Sequence, residues 1–149
     1  MRFASLGSGS RGNATLMSHG KTTLLVDCGF SARETEKRLQ QYNFDVADLT
    51  AIVVTHEHAD HINGVRVLAR KHQLPVYATA GTAGCLPADV MDLVHEFSCH
   101  EQFEINDILV EPFPVPHDAR EPSQFVFNGG QHRVGILTDV GSTTPVIEQ

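Results

Sequence analysis

The chain is short of cysteine, short of basic residues and without a long apolar run, and each shortage closes a class of function. Cys28, Cys85 and Cys99 are odd in number and none stands in a CxxC spacing. Neither a disulfide framework nor a thiolate zinc site is therefore expected, only ordinary buried or half-buried thiols. Lysine and arginine total 11 against 18 acidic residues, a formal charge of −7. A broad basic surface that grips nucleic acid by counterion release alone is excluded. Nucleic acid itself is not, because bound divalent cations reverse the local sign. No apolar stretch approaches the roughly 20 residues of a membrane span. The N-terminus, Met1-Arg2-Phe3-Ala4-Ser5-Leu6-Gly7, reaches Ser and Gly before an apolar signal segment can form, so a cytoplasmic protein is expected. There is no internal repeat, low-complexity tract or linker, and 149 residues suit one domain with a real core.

What is present is periodic. Strands are predicted at Arg2–Leu6, Ala14–Met17 and Thr22–Val26, the last two joined by a turn at Ser18-His19-Gly20. Ser31 with Glu34 forms a capping-box pattern ahead of a helix that turns Leu39 and Tyr42 inward. Ala51–Thr55 reads as a buried strand, and Ile62, Val65, Leu68 and Ala69 mark one face of a helix reaching His72. A strand restarts at Leu74–Tyr77, residues 79–95 carry a weak helical pattern broken at Pro87, and strands follow at Ile108–Val115, Gln124–Phe127 and Arg133–Thr138. This order predicts an α/β (α+β layered) fold, with mixed sheets flanked by helices in a single domain, 1–149. Pro145–Gln149 looks like a helix just starting, so the chain is expected to be truncated at its C-terminus.

Chemistry concentrates in "THEHADH" at positions 55–61, where His56, His58, Asp60 and His61 follow directly on the strand Ala51–Thr55. In an extended segment alternate side chains point the same way, so His56 and His58 can share one ion. The turn into the following helix lets Asp60 and His61 face the same space. Imidazole and carboxylate suit zinc and other borderline divalent metals. Four donors in six residues exceed what one tetrahedral ion takes from a loop, so two ions about 3.5–4 Å apart are the economical reading. His117 and Asp139 each follow an apolar strand and are the expected completers; an Asp can bridge two ions. Asp118 competes with His117 but is expected to cap its turn. Asp27, after Leu24-Leu25-Val26, is the carboxylate expected to accept the free N–H of a ligand imidazole. His19, His72, His95, His100 and His132 lack ligand spacing. The glycine-rich "GSGSRGN" at 7–13 is not followed by Lys-Ser or Lys-Thr, so a plain tight turn is expected rather than a phosphate loop.

His56-x-His58-x-Asp60-His61, with Asp27 before and His117 and Asp139 after, resembles the metallo-β-lactamase superfamily. The finer wording "GSGSRGNAT", "LLVDCGFS", "THEHADHINGVRVLARK" and "VPHDAREP" is similar to its YycJ/WalJ/VicX-type branch. The resemblance implies the N-terminal part of an αββα sandwich, two divalent ions (zinc first, manganese or iron next) and hydrolysis of phosphodiesters, with DNA as substrate and exonuclease activity in the branch. It implies His56, His58 and His117 on a first ion, Asp60 and His61 on a second, and Asp139 bridging, with the attacking group a hydroxide that the ions generate and Asp60 the catalytic residue that orients it. Members of the branch carry a further histidine after the Asp139 motif, which is absent here. Thioester or β-lactam hydrolysis on the same centre, or a metal-binding fragment without activity, are the rival readings; a flavodiiron redox centre would need an acidic residue in place of His58. Because Phe113, Phe125, Phe127 and Ile136 are expected to lack cover from their own chain, a homodimer through the C-terminal half is expected as well.

Overall fold

A computed structural model describes residues 1–148. Among these residues, ten strands form two sheets. β1 (Arg2–Gly7), β2 (Ala14–His19), β3 (Thr22–Val26), β4 (Ala51–Val53), β5 (Val76–Thr79) and β6 (Val94–Phe97) make a six-stranded mixed sheet in sequence order. Its first three strands are antiparallel and β3 to β6 run parallel. β7 (Phe103–Ile105), β8 (Ile108–Pro114), β9 (Ser123–Asn128) and β10 (Arg133–Ile136) form an antiparallel sheet in the order β10-β9-β8-β7. Among the described residues four α-helices accompany them: α1 (Ala32–Gln40), α2 (Ala59–Ile62), α3 (Val65–His72) and α4 (Ala80–Ala83). Among the described residues, no helix is long and apolar enough to cross a membrane.

The alternation of strand side chains divides the core in two. Leu25 and Ile52 point to the helical side, where Leu39, Val65, Leu68 and Ala69 meet them. Leu24, Val26, Ala51 and Val53 point the other way, onto Ile108, Val110, Phe125 and Phe127 of the second sheet. The layers are thus helices, mixed sheet, antiparallel sheet. Phe125 and Phe127 are fully buried by their own chain, which corrects the expectation that they lack cover; Ile136 packs at the edge of the same cluster and Phe113 is half-buried.

Several predicted elements shift for physical reasons. The helix foreseen up to His72 is split at Asn63-Gly64, because Gly64 lies against the chain at Phe30: a Cβ there would stand 2.1 Å from the Phe30 carbonyl oxygen. Only half of the capping box forms, since Ser31 accepts from the Glu34 N–H while the Glu34 carboxylate turns to Arg38 at 2.9 Å. Tyr42 lies on the surface, its hydroxyl donating to the Ser5 carbonyl. Residues 79–95 hold one helical turn and a 3₁₀ stretch at Ala88–Leu93 rather than a longer helix, and β6 and β7 were not foreseen. Aromatic stacking, not alternation, marks them: His95 lies on Tyr77 at 5.0 Å, and Phe97 on Phe103 at 4.9 Å between ring centres. At the C-terminus, residues 144–148 close a turn, with the Ile147 and Glu148 N–H groups donating to the Thr144 carbonyl; Gln149 lies outside the described residues.

Candidate metal centre

Parallel pairing of β3 and β4 brings their C-terminal ends side by side, Val26 opposite Val53. The mixed sheet delivers its polar residues there, as parallel sheets do. Asp27 follows β3 and Thr55–His61 follow β4. From the second sheet, His117 follows β8 and Asp139 follows β10. These side chains meet at one end of the interface between the sheets. Ligand atoms of His56, His58 and His117 lie within 4.8 Å of one another, and so do those of His56, His61 and Asp139. His56 therefore belongs to both groups. Asp60 stands at the rim, its Oδ2 3.6 Å from His61 Nε2.

The hydrogen bonds fix which nitrogen each imidazole presents. Asp27 is 2% exposed and adopts a left-handed conformation, φ 62°. Its Oδ1 accepts from the Thr55 N–H at 2.8 Å; its Oδ2 accepts from the Thr55 hydroxyl and His61 Nδ1, each at 2.7 Å. The single Thr55 hydrogen is thereby committed, so the hydroxyl oxygen accepts from His56 Nδ1 at 2.9 Å. His56 Nε2 is left as a lone pair facing the cluster. Among the described residues it is the one buried side-chain nitrogen or oxygen without a partner. His58 Nε2 lies 2.6 Å from the Asp118 carbonyl, which only accepts, so Nε2 carries the hydrogen and Nδ1 turns its lone pair inward, 3.3 Å from His117 Nε2. Asp118 thus acts through its main chain rather than as a competing ligand.

Charge follows from the same contacts. Burial, then the neighbouring imidazoles, hold the His56 pKa down to about 4. Burial also opposes charge on His61, but the hydrogen bond and charge of Asp27 outweigh it and its pKa is raised. Burial raises Asp27 in spite of its bonds to His61 and Thr55. The hydrogen bond to Asp27 holds a hydrogen on His61 Nδ1, so Nε2 is the nitrogen that His61 turns to the cluster. Asp139 Oδ2 stands 2.6 Å from that nitrogen. A lone pair and a carboxylate oxygen repel at this distance unless a proton or cation lies between them. The lone pairs of His56, His58 and His61, with His117 and the Asp139 carboxylate, form a donor set that fits a borderline divalent cation.

Three supports carry no signal in the motif. Glu57, between the two histidines, accepts the Arg120 N–H at 2.7 Å and so ties down the loop that bears His117. Gln124, 1% exposed, donates to the Thr138 carbonyl and accepts the Thr138 N–H, extending the ladder one step to Asp139. Gly29 lets the chain pass under Asp60, where a Cβ would stand 1.7 Å from the Asp60 carbonyl oxygen. The histidines read as non-ligands stay outside the cluster, His72 bonding Glu36 at 3.2 Å.

The family described as Beta-lactamase superfamily domain matches residues 22–149. Exodeoxyribonuclease YycJ of Bacillus anthracis is 39% identical over 148 residues, covering 95% of this chain and 55% of the relative. Exodeoxyribonuclease WalJ of Streptococcus pneumoniae is 36% identical over 146 residues, covering 94% and 54%. The chain spans about half the length of these relatives. Among solved structures, a subclass B3 metallo-β-lactamase from a soil metagenome library superposes with a TM-score of 0.72 at 17% identity, over 89% of this chain and 58% of the other. Another, described as the first B3 enzyme with an active-site glutamic acid, gives 0.73 at 18% identity over 98% and 66%. With the layered fold and a histidine–aspartate cluster of this kind at the end of its sheets, the chain belongs to the β-lactamase superfamily domain family.

Proposed function

We propose that this chain forms the metal-binding portion of a hydrolase that cleaves phosphodiesters in DNA with two divalent cations, zinc first among them. The observation that carries the reading is the pair of donor groups joined at His56, whose buried Nε2 has no partner. Its relatives' names as exodeoxyribonucleases favour phosphodiesters over thioesters and β-lactams. His56, His58 and His117 would hold one cation; His61, Asp60 and Asp139 would hold the other, with Asp139 shared. Such cations supply a polarised phosphoryl oxygen and a water acidic enough to lose a proton near neutral pH. They also offset the negative charge of the chain where a phosphate must approach.

The protein's own part is placement. Asp27 keeps the Nε2 lone pairs of His56 and His61 turned inward, directly and through Thr55. The Asp60 carboxylate, beside His61 Nε2, is set to accept a hydrogen from an attacking water and aim its oxygen at the phosphorus. No serine or cysteine nucleophile is called for. The cytoplasm is the compartment proposed with this reading.

Elemental analysis of the purified chain, followed by assay of bis-p-nitrophenyl phosphate against a thioester, tests it. We expect the His56–His58–His117 group to keep its metal more tightly than the other, and phosphodiester turnover to require metal. Two equally tight metals refute the ranking of the sites. Thioester turnover without phosphodiester turnover refutes the substrate class.

A further inference from the structure

The glycine-rich stretch at residues 7–13, read from sequence as a plain turn, ends in a side chain that reaches the cluster. Asn13 is 8% exposed. Its backbone N–H donates to the Asp60 carbonyl at 2.8 Å, and its own carbonyl accepts from Gly29 at 3.0 Å. The side-chain amide pairs both ways with Gly9, accepting the Gly9 N–H on Oδ1 and donating from Nδ2 to the Gly9 carbonyl, each at 3.0 Å. One of the two Nδ2 hydrogens is used there. The other faces three acceptors: Asp60 Oδ2 at 3.1 Å, the Asp60 carbonyl at 3.3 Å and His61 Nε2 at 3.2 Å.

We propose that Asn13 is a positioning residue for Asp60, its amide N–H turning wholly to the Asp60 carboxylate when a cation takes up the His61 lone pair. The inference rests on the reading of Asp60 and His61 as cation ligands. The reasoning is a count of hydrogens and lone pairs. Without a cation, Asp139 also crowds His61 Nε2, and the Asn13 N–H, within reach of both Nε2 and Asp60, is held by neither alone. A cation on Nε2 removes that acceptor. The Asp60 carbonyl already accepts the Asn13 backbone N–H and carries no charge, so the carboxylate is the stronger acceptor left. A bond to a charged acceptor is shorter and about twice as strong as a neutral one. The carboxylate is then held in one rotation, with its second oxygen free for the reacting centre. The turn serves this geometry: Asn13 can bond Gly9 and Asp60 together only because the chain between them is tightly folded, with the Gly12 N–H donating back to the Gly9 carbonyl at 3.1 Å.

The test is zinc titration of isotopically labelled protein by NMR, following the Asn13 side-chain amide and the imidazole nitrogens of His61 and His58. We expect His61 Nε2 to respond to zinc and one Asn13 amide proton to move downfield with it, on the same binding curve. A His61 response with both Asn13 protons unmoved overturns this inference alone. No His61 response overturns it together with the reading of His61 as a ligand. In Asn13→Ala, zinc binding sensed at His61 should weaken about tenfold, while binding sensed at His58 stays as in the parent. Equal weakening at both would mark a merely structural role and overturn the proposal.

Discussion

Asp27→Asn isolates what one oxygen does for the whole cluster. The substitution keeps volume, and asparagine tolerates the left-handed backbone found at this position, φ 62°. Oδ1 remains to accept the Thr55 N–H. At the Oδ2 position, however, an NH₂ now meets the Thr55 hydroxyl and His61 Nδ1, both of which donate there in the parent. Two donors cannot face a third. The least costly rearrangement moves the His61 proton to Nε2 and lets Nδ1 accept, which closes the lone pair that faces Asp139. Carboxylates that orient metal-binding imidazoles are each worth about 10–100-fold in metal affinity, or about 1.4–2.7 kcal/mol. The metal-free fold should not suffer in proportion. Burial already raises the Asp27 pKa, and a neutral amide removes the desolvation cost of the charge.

Competition titration against a chromophoric zinc chelator reads the first quantity, and thermal unfolding of the metal-free protein reads the second. The expected pattern is weaker zinc binding with a metal-free midpoint within a few degrees of the parent. Zinc affinity within about threefold of the parent would refute the tautomer argument. A large loss of metal-free stability would make Asp27 a structural residue instead.

Glu57→Ala should weaken zinc at the His117-containing group about tenfold by freeing the Arg120 N–H, whereas Glu57→Gln, which keeps an acceptor, should restore most of it; equal losses in the two variants would refute the clamp. Burial lifts the Cys28 thiol from an ordinary 9.0 to about 11, so above pH 9 the unfolded chain loses a proton that the folded chain keeps. Stability should be whole below about pH 9 and fall by up to about 2–3 kcal/mol towards pH 11, and Cys28→Ala should flatten that decline in urea titrations across pH. Self-association through the C-terminal half is expected to be weak, since Phe125 and Phe127 are covered and the half-buried Phe113 and Ile136 remain; a clean monomer by sedimentation equilibrium up to millimolar concentration would exclude it.

The cluster was legible because its chemistry is local. His56, His58, Asp60 and His61 share one loop, and an apolar strand before a polar residue announced Asp27, His117 and Asp139. Strands with alternating or continuous apolar residues were legible for the same reason. What sequence could not show depends on neighbours distant in the chain. Glu57 looks like a spacer until the loop bearing Arg120 folds against it, and Asn13 looks like a turn former until Asp60 and His61 arrive beside it. β6 escaped because an edge strand with exposed His95 and Glu96 has no apolar alternation to display. The error about Phe125 and Phe127 came from treating the second sheet as unpartnered. The first sheet already offers it Leu24, Val26, Ala51 and Val53.

That shared core ties metal binding to the docking of the sheets. Asp27 and the histidine loop come from the mixed sheet, His117 and Asp139 from the antiparallel one, and the contact between them is the cluster around Phe125. Among the described residues, neither donor group is complete within one sheet. Phe125→Ala removes a fully buried ring that is none of the proposed ligands, and such a loss costs about 3–5 kcal/mol. A cation held by both sheets opposes their separation, and free zinc at 100 times its dissociation constant returns about 2.7 kcal/mol. Phe125→Ala should therefore lose its cooperative unfolding midpoint in the metal-free form and regain most of it as zinc is added. Calorimetry with and without zinc decides the matter. A variant whose midpoint is no higher with zinc than without it would show that the donors bind without bridging the sheets, and the coupling argued from their placement would be wrong.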